Sequence, residues 1–216
     1  MANVSFVLIG SEGGSLLNAL LEKGLFNKYI IQTVSNSSCG FISNAQKWNV
    51  PTFIVPSDSI SEYLIEAFEK RPHLYILNYS TMLLTDQFVD AFMGRAYNCH
   101  PSLLPAFKGL KAIHNNFASN TLFMGCSIHQ IESKIDGGNC ILQAALPMNR
   151  EDSFQNKRNR IFEAQLVTTI QFMRWCLNER ITIQDGHASI TNGLFESSNY
   201  SPNLDKDIHS FMNKST

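Results

Sequence analysis

The chain has 216 residues, 44% of them hydrophobic, with 17 Lys and Arg against 18 Asp and Glu. That length buries one substantial core or two small lobes sharing a sheet, and a formal charge of -1 supplies no field to draw the protein to nucleic acid or an anionic bilayer. The five cysteines, Cys39, Cys99, Cys126, Cys140 and Cys176, are odd in number and lack CxxC or Cys/His ligand spacing, which argues against a disulfide framework and a zinc site.

The apolar run Val4 to Ile9 stops at Gly10 and no basic region precedes it. It is too short for a signal peptide or a membrane span, so a cytoplasmic location is expected. "VSFVLIG" predicts a strand, and "SLLNALLEKGLF", with leucines at helical spacing, the helix after it. "YIIQTVSNS" and "TFIV" predict further buried strands, "SISEYLIEAFEK" a helix capped by Ser59 or Ser61, and "HLYILN" a strand ending at Asn78. Such alternation implies a parallel sheet wrapped by helices.

After Leu110 the pattern changes. "GCSIHQIES" and "GGNCILQAALPM" read as two strands joined by a short loop, and "RNRIFEAQLVTTIQFMRWCLNER" as a long helix. The one dense basic run, Lys157-Arg158-Asn159-Arg160, is expected to be a solvated helix face. "RITIQDGHASIT" carries Asp185-Gly186 between alternating runs, a strong hairpin signal. From Asn192 onward polar residues dominate, and a loosely ordered tail is expected. The whole predicts an α/β fold: an open, twisted, mostly parallel sheet with helices on both faces, Rossmann-like in its N-terminal half and mixed in its C-terminal half. We expect a single domain over 1–192 with lobes at 1–95 and 96–192, and a polar tail over 193–216.

In open α/β sheets ligands sit beyond the carboxyl ends of strands, and three stretches fall there: "GSEGGS", "NYSTMLL" and "YNCHPSLLPAFKGL". The first either cradles a phosphate on backbone N–H groups or is a turn permitting tight packing, and Glu12 counts against an anion. In the last, Asn98 and His100 lie at i and i+2, so on a strand both side chains face one way and Cys99 the other. An amide beside an imidazole can face one oxygen, as stabilising a tetrahedral oxyanion requires; the alternative is a buried histidine satisfied by an asparagine. Pro101 and Pro105 stiffen the loop that follows.

Asp136 precedes Gly137 and Gly138, which either let the backbone approach a ligand or form a simple turn. If such a carboxylate lies beside His100, it is expected to raise the histidine pKa. No serine or cysteine sits in a recognisable nucleophile elbow. Direct attack by an amine on an activated acyl donor suits an Asn/His/Asp set without a nucleophile.

"NCHPSLLPAFKGL" and "IDGGNCILQAALPM", with His100 and Asp136 in register, resemble the folate-dependent formyltransferase family, above all the branch that formylates glycinamide ribonucleotide in purine synthesis. The likeness extends more weakly from about Val4 to about Ile183. It implies a formyltransferase-type fold with a nucleotide or substrate lobe followed by a folate and catalytic lobe. By this resemblance Asn98 and His100 polarise the formyl carbonyl of 10-formyltetrahydrofolate, Asp136 orients His100 and passes protons, and His129 supports them; no metal is implied. Tyr79, Met82, Leu83, Leu84, Glu132 and Asp136 are the implied folate residues. Gly13, Gly14, Ser15, Pro101 and Gln165 are those implied for an amine substrate that is phosphorylated.

The sequence departs from the family at several of these places. Gly13-Gly14-Ser15-Leu16 replaces Gly-x-Gly-Ser-Asn, Tyr79 and Met82 replace Gly and Arg, and Gln165 stands where a glutamate is expected, with Glu163 two residues away. A formyltransferase for another amine, such as a nucleotide-linked aminosugar, is therefore a second reading. A folate-binding paralogue without activity is a third, against which the intact Asn98, His100 and Asp136 argue. Near-neutral charge speaks against formylation of a transfer RNA, and both monomer and homodimer are open.

Overall fold

The computed structural model describes residues 4–184 and 187–213, which fall into two compact units. The first runs to Tyr97 and adds Ile131–Ser133 and the stretch from Ser210. Its elements alternate: β1 (Ser5–Ile9), α1 (Ser15–Glu22), β2 (Ile30–Ser35), α2 (Gly40–Lys47), β3 (Thr52–Ile54), α3 (Ile60–Phe68), β4 (Leu74–Asn78) and α4 (Asp86–Ala91). The strand order is β4-β1-β2-β3, every pair parallel, with Val7 opposite both Gln32 and Ile76 and Val34 opposite Phe53. This is the α/β alternation that the sequence predicts.

The periodicity explains the packing. In α3, Ile60, Leu64 and Phe68 fall four apart on one face and are buried against Val7, Ile9, Val34 and Ile76, the apolar stripe that lets a helix cover a sheet. Ser59 precedes α3, but its hydroxyl turns to Asp58 (3.0 Å) rather than capping the helix. α4 has a true cap, Thr85 Oγ1 accepting from the N–H of Phe88 at 3.3 Å. One expectation fails at β3, read as buried. As the last strand in the order it leaves Phe53 and Ile54 47% and 53% exposed, because an edge strand lacks a neighbour on one side.

The second unit comprises Asn98–Gln130 and Lys134–His209. β5 (Ala96–His100) ends in it, and α5 (Ala112–Ala118), β6 (Phe123–Gln130), β7 (Cys140–Pro147) and α6 (Phe154–Leu177) follow. β6 and β7 pair antiparallel, with Cys126 opposite Ala144, so this half is mixed as expected. Cys126, Ala144 and Ala164 pack together beneath α6. β8 (Ile181–Gln184) and β9 (His187–Ile190) pair antiparallel in a separate two-stranded sheet; the Asp185-Gly186 step of the predicted hairpin lies outside the described residues.

Two further expectations are corrected. Lys157 is buried, its Nζ donating to the carbonyl of Arg150 at 3.1 Å, and Arg160 donates to the Pro147 carbonyl at 2.7 Å. Lys157 and Arg160 therefore tie the start of α6 to the preceding loop, while Arg158 and Asn159 between them face water as expected. The stretch expected to be loose is anchored: β10 (Tyr200–Ser201) pairs with β7, and α7 (Ile208–Met212) follows. Asp205 accepts from Arg180 Nη1 at 2.7 Å and Gln171 Nε2 at 3.1 Å, while its own N–H donates to Gln171 Oε1 at 2.8 Å. Burial opposes the charge on Asp205, but the bonds from Arg180, Gln171 and Trp175 outweigh it and lower its pKa.

Candidate active site

Four predicted side chains meet within the second unit. Asn98 and His100 project from β5, where the period of two puts them on one side. His129 comes from β6, and Asp136 from the turn after it. Asp136 adopts φ 47°, a left-handed conformation that Asp tolerates because its short polar side chain can bond locally. Its Oδ2 accepts the N–H of Gly109 at 2.7 Å and lies 3.5 Å from His100 Nδ1; its Oδ1 lies 3.5 Å from His129 Nε2. Both histidines are buried, at 5% and 3% exposure.

Backbone carbonyls fix the protons on both rings. His100 Nε2 is 3.0 Å from the carbonyl of Phe107, and His129 Nδ1 is 2.7 Å from that of Gln130. A carbonyl only accepts, so each of these nitrogens carries a hydrogen. Nε2 of neutral His129 then accepts the amide of Asn98, 3.2 Å away, and only a protonated His129 donates from that atom to Asp136. Nδ1 of neutral His100 is left with a lone pair facing Asp136.

Burial lowers the His100 pKa, and this outweighs the upward push of the Phe107 carbonyl and of Asp136. The expectation that Asp136 raises it is right in sign for that contribution and wrong for the net result, because desolvation of the imidazolium is larger. For Asp136, burial opposes ionisation, but hydrogen bonds from His129 and the Gly109 N–H and the imidazole charges hold the carboxyl at about 2. The site at neutral pH is thus a carboxylate beside a neutral imidazole. Burial pushes the Cys99 thiol up to about 11, so it offers no thiolate.

The family model described as "Formyl transferase" matches residues 4–171, more than half of the chain. The chain belongs to the formyl transferase family. It is 28% identical to the phosphoribosylglycinamide formyltransferase of Haemophilus influenzae over 143 residues, 66% of each chain. It is 24% identical to the trifunctional purine biosynthetic protein adenosine-3 of Chironomus tentans over 81% of this chain, spanning only 14% of that long protein. The crystal structure of phosphoribosylglycinamide formyltransferase from Anaplasma phagocytophilum superposes with TM-score 0.78 at 28% identity, covering 89% of this chain and 96% of that one. The formyl transferase fold is thereby established for this chain.

The remaining predicted residues lie elsewhere in the two units. Within the first, Tyr79 follows β4 and donates its N–H to Ile9 (2.8 Å), while Met82 and Leu84 pack on the core and only Leu83 of the three stands 70% exposed. Glu132 is exposed and also belongs to this unit. Gly14 has φ 68°, and a Cβ there would strike the backbone of Phe41 at 2.5 Å, so close packing against α2 alone explains this glycine. Gly13 accepts from Asn44 Nδ2 at 2.9 Å, and Ser15 opens α1. In the second unit Pro101 follows His100 directly, and Gln165 Nε2 lies 3.4 Å from the Cys99 carbonyl.

Gly138 is likewise accounted for by the chain itself: a Cβ there would collide with the carbonyl of Gln130. The approach at Gly138 is backbone to backbone. Sequence reasoning missed the Phe107 carbonyl and the Gly109 N–H. Phe107 at φ 54° and Gly109 at φ 82° lie in the "AFKGL" loop, where the glycine was the available signal.

Proposed function

We propose that the chain transfers a formyl group from 10-formyltetrahydrofolate to a primary amine, with glycinamide ribonucleotide as the acceptor. The observation that carries this is a buried neutral imidazole, His100, between a half-buried amide, Asn98, and a half-buried carboxylate, Asp136, with no activated nucleophile beside it among the described residues. The folate supplies the activated formyl group. The donor set fits such a partner: acyl transfer to an amine needs a hydrogen-bond donor for the oxyanion and a carrier for one proton, and no covalent enzyme intermediate.

In this reading the Asn98 amide donates to the carbonyl oxygen as it gains charge. His100 accepts on Nδ1 the proton that the amine loses when its nitrogen bonds to the formyl carbon. Asp136 stabilises the imidazolium while it exists, and His100 returns that proton to the departing folate nitrogen as the carbon–nitrogen bond breaks. The products are the N-formyl amine and tetrahydrofolate, and His100 ends neutral.

A second acceptor, a nucleotide-linked aminosugar, follows from one departure: Gln165, standing where the family resemblance implies a glutamate, is uncharged and lies 3.4 Å from the Cys99 carbonyl. Incubating the protein with 10-formyltetrahydrofolate and each amine in turn, and following the folate absorbance, tests both. Turnover with the ribonucleotide is expected. Turnover with an aminosugar nucleotide alone would shift the assignment to that acceptor, and turnover without any amine would show hydrolysis instead.

A further inference from the structure

Below the site runs a buried polar chain that the reaction as described does not use. Ser102, with no exposed surface, donates its hydroxyl to the carbonyls of Ala106 at 2.8 Å and Phe107 at 3.2 Å. The Ser102 carbonyl in turn accepts from Ser127 Oγ at 2.7 Å, and Ser127 Oγ accepts from the N–H of Leu104 at 3.0 Å and from Gln143 Nε2 at 2.9 Å. Gln143 also donates to the Leu104 carbonyl at 2.9 Å. β6 and β7 thus hold the loop after His100 through side chains rather than through ladder bonds.

The far end of this chain is the Phe107 carbonyl, which meets His100 Nε2 at 3.0 Å. Phe107 has φ 54°, which a bulky residue adopts only when its surroundings impose it. Its oxygen has two lone pairs, and Ser102 and His100 approach both.

We propose that Ser102 is a positioning residue: by fixing the Phe107 carbonyl against Nε2 it assigns the Nε2–H tautomer to His100, so the proton exchanged during the reaction is always the one on Nδ1, beside Asp136. Without that anchor the proton is free to move to Nδ1 in the neutral ring, where it bonds Asp136 and leaves no lone pair on the side where the proton must be taken up. The same geometry explains why Ser102 is not a nucleophile. Its single hydroxyl proton is shared between two carbonyls, and the nearby imidazole nitrogen is itself a donor.

This rests on His100 being the proton carrier, and the test separates the two ideas. Two-bond proton–nitrogen NMR of the histidine rings reads the tautomer directly in the free protein, with the His100 signals assigned by their loss in His100→Ala. Wild type should show a protonated Nε2 and titration on Nδ1, and Ser102→Ala averaged nitrogen shifts from mixed tautomers. Turnover in Ser102→Ala should fall about ten- to a hundredfold, by analogy with partners that orient metal-bound imidazoles from behind, with the amine KM unchanged. If Ser102→Ala does not fold, Ser102→Cys, close in size and a weak donor, is read in its place. A wild-type Nδ1–H tautomer, or an unaltered tautomer in a folded Ser102 variant, overturns the proposal. The expected tautomers in a protein that shows no formyl transfer support the positioning and overturn the catalytic reading alone.

Discussion

Replacing Asp136 by Asn tests the charge logic of the site with little steric change. Asn is as tolerant as Asp of the left-handed φ at this position, and its Oδ1 can still accept the Gly109 N–H that now bonds Asp136 at 2.7 Å. What disappears is a negative charge 3.5 Å from His100 Nδ1. At an effective dielectric of about 20 that charge attracts an imidazolium by up to roughly 5 kcal/mol, and the residual solvation of both groups reduces this to a few kcal/mol. Asp136 pushes the His100 pKa up against the larger effect of burial, so the variant lowers it further. Activity needs neutral His100, and the acid limb of the pH–rate profile should therefore move to lower pH. A weaker base also lowers the plateau, by about a hundredfold or more. The assay is kcat against pH for both proteins with folate and amine saturating. An acid limb that stays in place, or moves to higher pH, would refute the pairing of Asp136 with His100.

Three further outcomes are expected. Asn98→Ala should lower kcat by about two to three powers of ten, as losing one oxyanion donor does, with an unchanged melting temperature; a melting shift with near-normal kcat would make Asn98 structural. Asp205→Ala should cost about 2 to 3 kcal/mol by stranding Arg180 and Gln171, roughly 5–10 °C in Tm for a chain of this size, while kcat at a permissive temperature is kept. Gln165→Glu removes the donor that faces the Cys99 carbonyl and should lower the ribonucleotide KM about tenfold through charge-assisted bonding with no change for folate; equal KM values would show that position 165 does not meet the amine.

What the sequence made legible is what side chains encode. The period of two placed Asn98 and His100 together, and the 3.6 period of Ile60, Leu64 and Phe68 placed α3 on its strands. The partners that fix the site are different in kind: the Phe107 carbonyl, the Gln130 carbonyl and the Gly109 N–H are groups every residue carries, so no residue type announces them. Burial is hidden for a related reason. The carboxylate near His100 was implied by the family resemblance, but the desolvation of His100 depends on what is packed around the ring, and that effect sets the net sign. Lys157 was misread for the same cause, since a basic run declares its charge and not the carbonyl and the Phe117 ring that receive it.

The acceptor side turns on whether each departure from the family pattern has a cause within the chain. Gly14 has one, because its positive φ and the backbone of Phe41 exclude any side chain there whether or not a phosphate binds. Its retention is thus no argument for a phosphate, and Leu16 in place of the family's asparagine is no argument against one. Gln165 is different. Its contact with the Cys99 carbonyl is long at 3.4 Å and that with the thiol longer at 3.7 Å, both weak enough that packing does not explain a glutamine over a glutamate. A residue that the fold does not require is where a change of acceptor can be accommodated without loss of stability. That makes Gln165, more than the glycine loop, the position whose substitution discriminates between a ribonucleotide amine and an aminosugar.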